Sequence, residues 1–385
     1  MRVLYDYQAF QMQKYGGVSR SYIELCSELI KLGVDCKLGV KESDNVHLKN
    51  SGLVGNLKPN QYNRNRIFGQ KQSFKGEYRI KEVLIKLMNY SIEPNVDYCK
   101  RLLKQQQFDI FEPTFFDSYF LSDLSEKPFV LTIHDMIPEL FPQYFKRDDY
   151  QIVQKKRLCL LASHIRVPSL KTKNDLVDIL DINPDKITVV PHGVNMINIT
   201  LEKEKCVFDF PYLLYVGSRF GYKNFTAFLY ESAKVLAKYS DLRIVCVGEP
   251  FDLKEQQKIN DLHINGRIIQ ISACDEMLRR LYQHAMVFVY PSAYEGFGLP
   301  ILEAFANGCP VMLNNASCFP EVAGDAALYF EMSSNQSSFF DVFQSLYMMS
   351  SEDRTALIKK GYKRLEMFSW KKAAEKTNSI YLSLL

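Results

Sequence analysis

Two glutamates lie on either side of a glycine-rich turn in the second half of the chain. The segment reads Glu295-Gly-Phe-Gly-Leu-Pro-Ile-Leu-Glu303, and it follows the apolar run Val287–Tyr290. Pro300 suits the first turn of a helix, where its missing N–H costs nothing. A carboxylate on such a helix can accept hydrogen bonds from both hydroxyls of a ribose, while N–H groups of the turn face a phosphate or a sugar. This segment is therefore the sharpest candidate site.

Two cations lie four residues apart in a glycine-bearing loop between a predicted strand and a predicted helix. They are Arg219 and Lys223, in the run Tyr215-Val-Gly-Ser-Arg-Phe-Gly-Tyr-Lys223. A guanidinium offers bidentate donors and an ammonium offers a point charge, so the two together can hold a diphosphate. The alternative interpretation is two solvated surface cations.

A pair of glycines, Gly16 and Gly17, precedes a helical pattern near the amino terminus. Exposed N–H groups at the start of a helix can approach and neutralise a phosphate, although a plain turn also explains the pair. The arrangement differs from Gly-x-Gly-x-x-Gly, which argues against an NAD-dependent dehydrogenase.

Short β-rich runs alternate with helical patterns along the whole chain, which predicts parallel sheets built from β-α units. Ligands bind at the carboxyl ends of parallel strands, so His134, which ends the run Leu131–Ile133, is a further candidate; a lone histidine is otherwise more often structural. The predicted fold is α/β, with two Rossmann-like doubly wound domains at residues 1–200 and 201–368 and a last helix at 369–385. The candidate strands are Arg2–Tyr5, Cys36–Val40, Phe108–Glu112, Phe129–Ile133, Ile165–Val167, Ile187–Val190, Tyr212–Val216, Arg243–Val247, Ile268–Ile271, Val287–Tyr290, Pro310–Leu313 and Leu328–Phe330.

The composition is that of a globular protein, with 47% hydrophobic and 24% charged residues among 385. No apolar run approaches the roughly 20 residues that cross a bilayer, and no signal peptide is evident, so a cytoplasmic location is expected. Between residues 58 and 104, eleven Lys/Arg stand against four Asp/Glu. This excess predicts peripheral contact with an anionic membrane or a phosphorylated acceptor, against the alternative of a solvated helical face. No nucleic-acid partner is expected.

Taken in order along the chain, these motifs resemble those of the retaining GT-B glycosyltransferases of family 4. The resemblance spans nearly the whole chain and implies the GT-B fold, with two domains facing a cleft and the last helix crossing back to the first domain. It further implies transfer of a hexose from a UDP- or GDP-sugar to a glycan or lipid-linked acceptor in surface-polysaccharide (lipopolysaccharide-type) biosynthesis. The matching segments are Gly16–Arg20, His134-Asp135, Val189–Val194, the loop with Arg219 and Lys223, Glu295–Glu303 and Pro320–Phe330.

The resemblance also implies the residues that act on the transferred group. Arg219 and Lys223 would neutralise the departing diphosphate, Glu295 would lie by the transferred sugar, and His134 would contact one of its hydroxyls. Many family members have an arginine directly after the glycine of the basic loop, whereas Ser218 stands there in this chain. Two outcomes are therefore open: Arg219 reaches the phosphate, or Lys223 neutralises it alone.

The substrate-binding residues that the resemblance implies come from both domains. The nucleotide ribose would bind Glu303, and residues 269–281 would line the base pocket. Backbone N–H groups and the facing turn of the first domain would hold the sugar and the diphosphate. These residues are Gly16, Gly17, Val18, Arg20, Phe297, Gly298 and Leu299.

Metal independence is expected because the chain has no Asp-x-Asp pair to hold a metal-bound diphosphate. Neither a metal nor another cofactor is therefore predicted. The resemblance implies same-face attack with retention and without a protein nucleophile. Two alternatives stay open. One is a GT-B epimerase or phosphorylase, which product analysis with and without an acceptor separates from a transferase. The other is a non-catalytic GT-B scaffold protein, in which the motif residues would be expected to decay, whereas Glu295, Glu303 and both cations are present.

Overall fold

The computed structural model describes residues 1–12, 14–55, 57–59, 94–145, 150–194, 205–332 and 338–385. Most of the basic stretch 58–104, predicted to contact a membrane or a phosphorylated acceptor, lies outside these ranges, as do residues 195–204 around the predicted domain boundary at residue 200. Within the described ranges, every helix is too short or too polar to cross a membrane. The membrane contact and the cytoplasmic location stay predictions.

The first half of the chain forms parallel strands in two three-stranded groups, in the orders β2-β1-β3 and β4-β5-β6. A parallel bridge between Phe111 and Phe129 joins the two groups. The strands read as apolar runs because helices cover both faces of such a sheet; Val3, Val130 and Ile165 are fully buried. The strands are β1 (Arg2–Tyr5), β2 (Asp35–Leu38), β3 (Ile110–Glu112), β4 (Val130–Thr132), β5 (His164–Val167) and β6 (Ile187–Val189).

The second half forms one six-stranded parallel sheet in the order β12-β11-β10-β7-β8-β9. The first strand of this half lies beside the fourth, so the strand order reverses between β7 and β10. In doubly wound sheets ligands bind at the carboxyl side of this switch point. The strands are β7 (Tyr212–Val216), β8 (Arg243–Val247), β9 (Ile268–Ile271), β10 (Val287–Tyr290), β11 (Val311–Asn314) and β12 (Leu328–Phe330).

Helices follow most strands and pack on both sheets. The described helices are α1 (Gln8–Met12), α2 (Gly17–Lys31), α3 (Val46–Ser51), α4 (Pro94–Gln105), α5 (Ile137–Leu140), α6 (Tyr150–Leu161), α7 (Leu170–Leu180), α8 (Phe225–Lys238), α9 (Leu253–Asp261), α10 (Asp275–His284), α11 (Leu299–Ala306), α12 (Phe319–Ala323), α13 (Phe339–Tyr347), α14 (Ser351–Leu365) and α15 (Trp370–Leu382). The twelve predicted strands are confirmed, each with bounds within two residues of the prediction. The α/β architecture of two parallel sheets is confirmed with them.

The last helix, α15, packs against α2 in the first half of the chain. Its Tyr381 hydroxyl donates a hydrogen bond to the buried carboxylate of Glu112, which is also paired with Arg166. Tyr5 completes the group, with its hydroxyl 2.6 Å from that of Tyr381. A buried ion pair is retained when further hydrogen bonds satisfy it, and here the last helix supplies one of them. The carboxyl terminus is therefore fastened to the first sheet.

Candidate functional site

The loops that follow β7 and β10 meet at the switch point of the second sheet. Lys223, from the first loop, lies with its Nζ 2.5 Å from Oε1 of Glu295, from the second. Ser292 donates a hydrogen bond of 2.7 Å to the same oxygen. The two charged side chains are 13% and 10% exposed, so the pair is largely withdrawn from water. The structure thus joins two of the predicted catalytic residues.

Aromatic rings enclose this ion pair. The Lys223 ammonium lies 5.1 Å from the ring centre of Tyr222 and 5.8 Å from that of Tyr290. The carbonyl of Tyr222 accepts a hydrogen bond from Ala293 N, at 2.8 Å, and so fixes one loop to the other. A cation held against ring faces and a carboxylate is positioned before any ligand arrives, which is the arrangement that electrostatic stabilisation of a leaving group needs.

Arg219, in contrast, is bound elsewhere. Its Nε lies 2.7 Å from Glu255 Oε1, and its Nη2 also donates to the carbonyls of Glu249 and Pro250. Its guanidinium packs 4.9 Å from the ring centre of Phe251. Contact between Arg219 and a phosphate would require it to leave these partners. Of the two outcomes left open by the sequence, the structure has Lys223 at the switch point and Arg219 at the start of α9.

The turn between Glu295 and α11 reaches across to the first half of the chain. A Cβ placed on Gly296 would lie 1.8 Å from the carbonyl oxygen of His134, so glycine is required by this close approach. Gly298 has φ +91°, a conformation that favours glycine, and it precedes the first residue of α11. The Phe297 ring is buried and lies 5.1 Å from that of His192. The turn therefore belongs to an interface between the two halves.

His134, the predicted sugar contact, follows β4 at this interface. Burial lowers the pKa of its imidazole well below the ordinary value, and the charges of His192, Arg166 and Lys155 lower it further. The ring is therefore neutral near pH 7. Its Nε2 is buried and has no hydrogen-bond partner among the described residues. A neutral imidazole nitrogen without a partner can bind a hydroxyl group of a ligand.

The glycine turn at the start of α2 faces α11 across the same interface. A Cβ on Gly17 would lie 3.6 Å from Leu299 Cδ1, and Gly16 is the residue before the helix. One turn further along α2, Arg20 Nη1 lies 3.0 Å from Glu303 Oε1. Burial raises the pKa of Glu303, and Arg20 opposes this shift. Arg20 therefore pairs with the carboxylate of Glu303, which was predicted to bind a ribose.

A cavity of about 190 Å³ opens beside this ion pair. Arg20 and Glu303 line it together with Asp275, Arg279 and Tyr282 from α10. The predicted base-pocket segment 269–281 thus contributes the first half of α10 to a space next to Glu303. By its position next to Glu303 this cavity suits a nucleoside, and we call it the nucleoside cavity.

The sequence offered little sign of two further contacts across the interface. Glu321 accepts hydrogen bonds from the N–H groups of Leu170, at 2.8 Å, and Lys171, at the start of α7. Tyr294 donates to Asp175 at 2.6 Å. Glu321 belongs to a segment that matched the family pattern, but its partner lies 151 residues away, and no local pattern reveals such a contact.

A metal site is not apparent at this interface. Over the parts of the chain that the structure describes, no group of three or more His, Cys, Asp or Glu side chains is placed to hold a metal ion. The independence of metals and cofactors stays a prediction.

Comparison with known families agrees with the geometry. Residues 15–196 match the family described as Glycosyltransferase Family 4, and residues 199–364 match Glycosyl transferases group 1. The chain belongs to the family 4 glycosyltransferases. Within this family its relatives include the O-antigen chain mannosyltransferase RfbU of Salmonella typhimurium, 30% identical over 200 residues, which are 52% of this chain and 55% of that protein. The O-antigen chain mannosyltransferase B of Escherichia coli is 27% identical over 66% of this chain and 69% of its own length.

Solved structures show the same fold at low identity. HepE of Anabaena, in complex with UDP-glucose, has a TM-score of 0.72 and 15% identity, and the match covers 100% of both chains. Sucrose-phosphate synthase of Thermosynechococcus elongatus has a TM-score of 0.71 and 16% identity over 100% of this chain and 98% of that one. The fold is therefore GT-B. The chain spans 55% and 69% of the length of the two mannosyltransferases, so their activities are not assigned to it from this similarity alone.

Proposed function

We propose that this protein transfers a hexose from a UDP- or GDP-sugar to a glycan or lipid-linked acceptor during surface-polysaccharide biosynthesis. The observation that carries the proposal is the enclosed pair of Lys223 and Glu295 at the switch point of the second sheet, 2.5 Å apart. The second domain would bind the nucleotide. The first domain would bind the acceptor, and its glycine turn would close on the diphosphate.

The donor would bind between Glu303 and Lys223. A ribose needs the carboxylate of Glu303, so it would displace Arg20 from the present ion pair. The freed guanidinium would then lie beside Gly16 and Gly17, whose helix start favours anions. Arg20 and Lys223 together would neutralise the diphosphate without a metal ion. The predicted role of Arg219 is kept as an alternative cation, with a cost for leaving Glu255.

We assign no protein nucleophile. Glu295 Oε1 already accepts hydrogen bonds from Lys223 and Ser292, so its charge is balanced and its orientation is fixed. Attack of the acceptor on the face that the diphosphate leaves would retain the anomeric configuration, and the leaving phosphate would take the acceptor proton. His134 would hold a hydroxyl of the transferred sugar. Phe297, Gly298 and Leu299 would offer their N–H groups at the start of α11.

Mannose is the first sugar to test, because the two O-antigen chain relatives are both named mannosyltransferases. UDP-sugars are tested as well, because the structurally similar HepE was solved in complex with UDP-glucose. Thermal unfolding with UDP, GDP, ADP or buffer, each with EDTA, identifies the nucleotide. A ligand at a hundred times its Kd adds about 2.7 kcal/mol of stability, enough to raise the midpoint by several degrees.

Transfer is then measured with GDP-mannose and UDP-glucose, with products analysed in the presence and absence of acceptor. Lys223→Ala and Glu303→Ala should each nearly abolish transfer. Normal rates in both variants, or no stabilisation by any nucleotide, would refute the proposal. Turnover of the donor sugar without an acceptor would instead favour the epimerase alternative.

A further inference from the structure

A second cavity, of about 210 Å³, is lined by His134 and Asp135, and it shares no described lining residue with the nucleoside cavity. Its walls come from the first half of the chain and from one residue of the basic loop. None of the described lining residues belongs to the turn Glu295–Leu299 or to α10. The lining residues are Val18, Phe115, Phe116, His134, Asp135, Ile137, Pro138, Phe145, Ile152, Lys155 and Tyr222.

Aromatic and aliphatic side chains form most of the wall. Phe115 and Phe116 stand side by side with ring centres 4.6 Å apart, and Tyr222 closes the wall from the second domain. Tyr222 is also the residue that joins this cavity to the ion pair. Burial raises the pKa of its hydroxyl, and the charges of Glu295 and Asp135 raise it further. A ligand in the cavity would therefore lie next to the switch point.

The charges at the cavity are unequal. Lys155 is buried, and its Nζ lies 2.9 Å from Glu139 Oε2, so that cation is neutralised within the protein. His134 is neutral because burial lowers its pKa. The carboxylate of Asp135 remains, oriented by a hydrogen bond of 3.0 Å from Ile137 N to its Oδ1. An anionic ligand would meet this like charge, whereas a hydroxyl group would find an acceptor.

The volume bounds the ligand. About 210 Å³ corresponds to roughly seven water molecules at about 30 Å³ each. This holds one sugar ring and is too small for a long lipid chain. An aromatic wall suits the C–H face of such a ring, and polar groups at one end of a mostly apolar pocket fix its orientation.

We infer that this cavity binds the terminal sugar of the acceptor, and that it selects a neutral hexopyranose through its aromatic wall and the carboxylate of Asp135. The inference rests on the proposed function, because it assumes that an acceptor must reach the switch point. It adds the chemical class of the acceptor and the residue that excludes anionic sugars.

Saturation-transfer NMR with methyl glycosides tests the inference directly. Methyl β-D-glucoside and methyl β-D-glucuronide are titrated against the full-length protein, with and without saturating nucleotide. We expect the glucoside to bind at least tenfold more tightly than the glucuronide, a difference of about 1.4 kcal/mol. Binding should survive the nucleotide, because the nucleoside cavity is a separate space.

Two variants and one control assign the effect. Asp135→Asn keeps the oxygen that accepts from Ile137 N, and it should reduce the discrimination to about threefold or less. Phe115→Leu should weaken the binding of both glycosides about equally. Asp178→Asn, on an exposed position of α7, should leave both affinities unchanged.

Three results would overturn the inference while leaving the proposed function standing, provided that a nucleotide still raises the unfolding midpoint. They are the absence of saturation for the neutral glycoside, its displacement by the nucleotide, and unchanged discrimination in Asp135→Asn. Displacement of the neutral glycoside by farnesyl phosphate would also overturn the inference, since the cavity would then bind a lipid. Failure of every nucleotide to stabilise the protein would count against the proposed function itself.

Discussion

Replacing Lys223 by methionine begins a test that separates the stabilising role of the ion pair from its proposed catalytic role. The substitution leaves the Glu295 carboxylate, 10% exposed, without its cation. Removing one partner of a buried pair costs about 3–5 kcal/mol, because the remaining charge is desolvated and unpaired. For a domain of this size each kcal/mol shifts the unfolding midpoint by about 2–4 °C. At a cost of about 3 kcal/mol, the lower bound, Lys223→Met should therefore unfold about 6–12 °C below the wild type.

The double variant Lys223→Met/Glu295→Gln removes the unpaired charge. Replacing a buried pair by neutral side chains of similar volume is often nearly neutral, so the double variant should recover most of the lost midpoint. Transfer should not recover, because the cation that we propose to stabilise the leaving diphosphate is still absent. Removal of one such group typically costs about 10²–10³-fold in rate.

Four proteins therefore complete the experiment: wild type, each single variant and the double variant. Thermal unfolding gives the coupling between Lys223 and Glu295, and the initial rate of transfer gives the catalytic effect. An unchanged midpoint in Lys223→Met would show that the pair is not buried as the structure has it. Transfer within tenfold of wild type in the stable double variant would refute the role of Lys223 at the diphosphate.

Three other predictions follow from contacts elsewhere. Tyr381→Phe leaves one oxygen of Glu112 without its donor, so the midpoint should fall by the equivalent of about 1–3 kcal/mol, measured by thermal unfolding. Burial and the charge of a nearby arginine lower the pKa of His192 to about 3, so the unfolded chain binds a proton below pH 6.5 that the folded chain does not. Stability should therefore fall as pH drops from 6.5 towards 3, by at most about 1.4 kcal/mol per pH unit from this group, and His192→Gln should flatten the slope of the midpoint against pH. Gly296→Ala would place a methyl group 1.8 Å from the His134 carbonyl oxygen, so we expect a larger radius of gyration by small-angle X-ray scattering and at least a tenfold loss of transfer; wild-type values of both would contradict the tight approach.

The strands and the site loops could be predicted because their causes are local. Parallel strands covered on both faces are near-continuous apolar runs, and ligand-binding loops follow the carboxyl ends of such strands. Lys223 and Glu295 therefore stood out as loop residues after two strands. The order of the strands then decides that β7 lies beside β10, which brings the two loops together.

The partner of Arg219 was missed because it depends on a second local structure. Glu255 is the third helical residue in a capping box with Asp252 at the start of α9. The run Asp252-Leu-Lys-Glu255 could have been read as such a box. That pattern fixes the helix start, yet only the packing of the loop after β7 against it directs the carboxylate towards Arg219, 36 residues earlier.

The pairing of Arg20 with Glu303 depends on still longer-range structure. The two residues are 283 positions apart. Arg20 lies on α2 in the first half of the chain and Glu303 on α11 in the second half. The contact spans the interface at which Gly296 lets the second-domain turn approach the carbonyl oxygen of His134. Gly296 is not unusual in sequence, since a glycine there also suits a plain turn.

The Arg20–Glu303 pair also bears on how the proposed nucleotide site would select its ligand. In the structure the carboxylate that suits a ribose is balanced by a cation from the opposite domain. A nucleoside diphosphate supplies hydroxyls for Glu303 and negative charge for Arg20, so it can replace both halves of the pair at once. A nucleoside without phosphates would supply only the hydroxyls and would leave the guanidinium without an anion. The preference for a diphosphate over a nucleoside would therefore arise in part from the interface between the domains, in addition to Lys223 within the second domain.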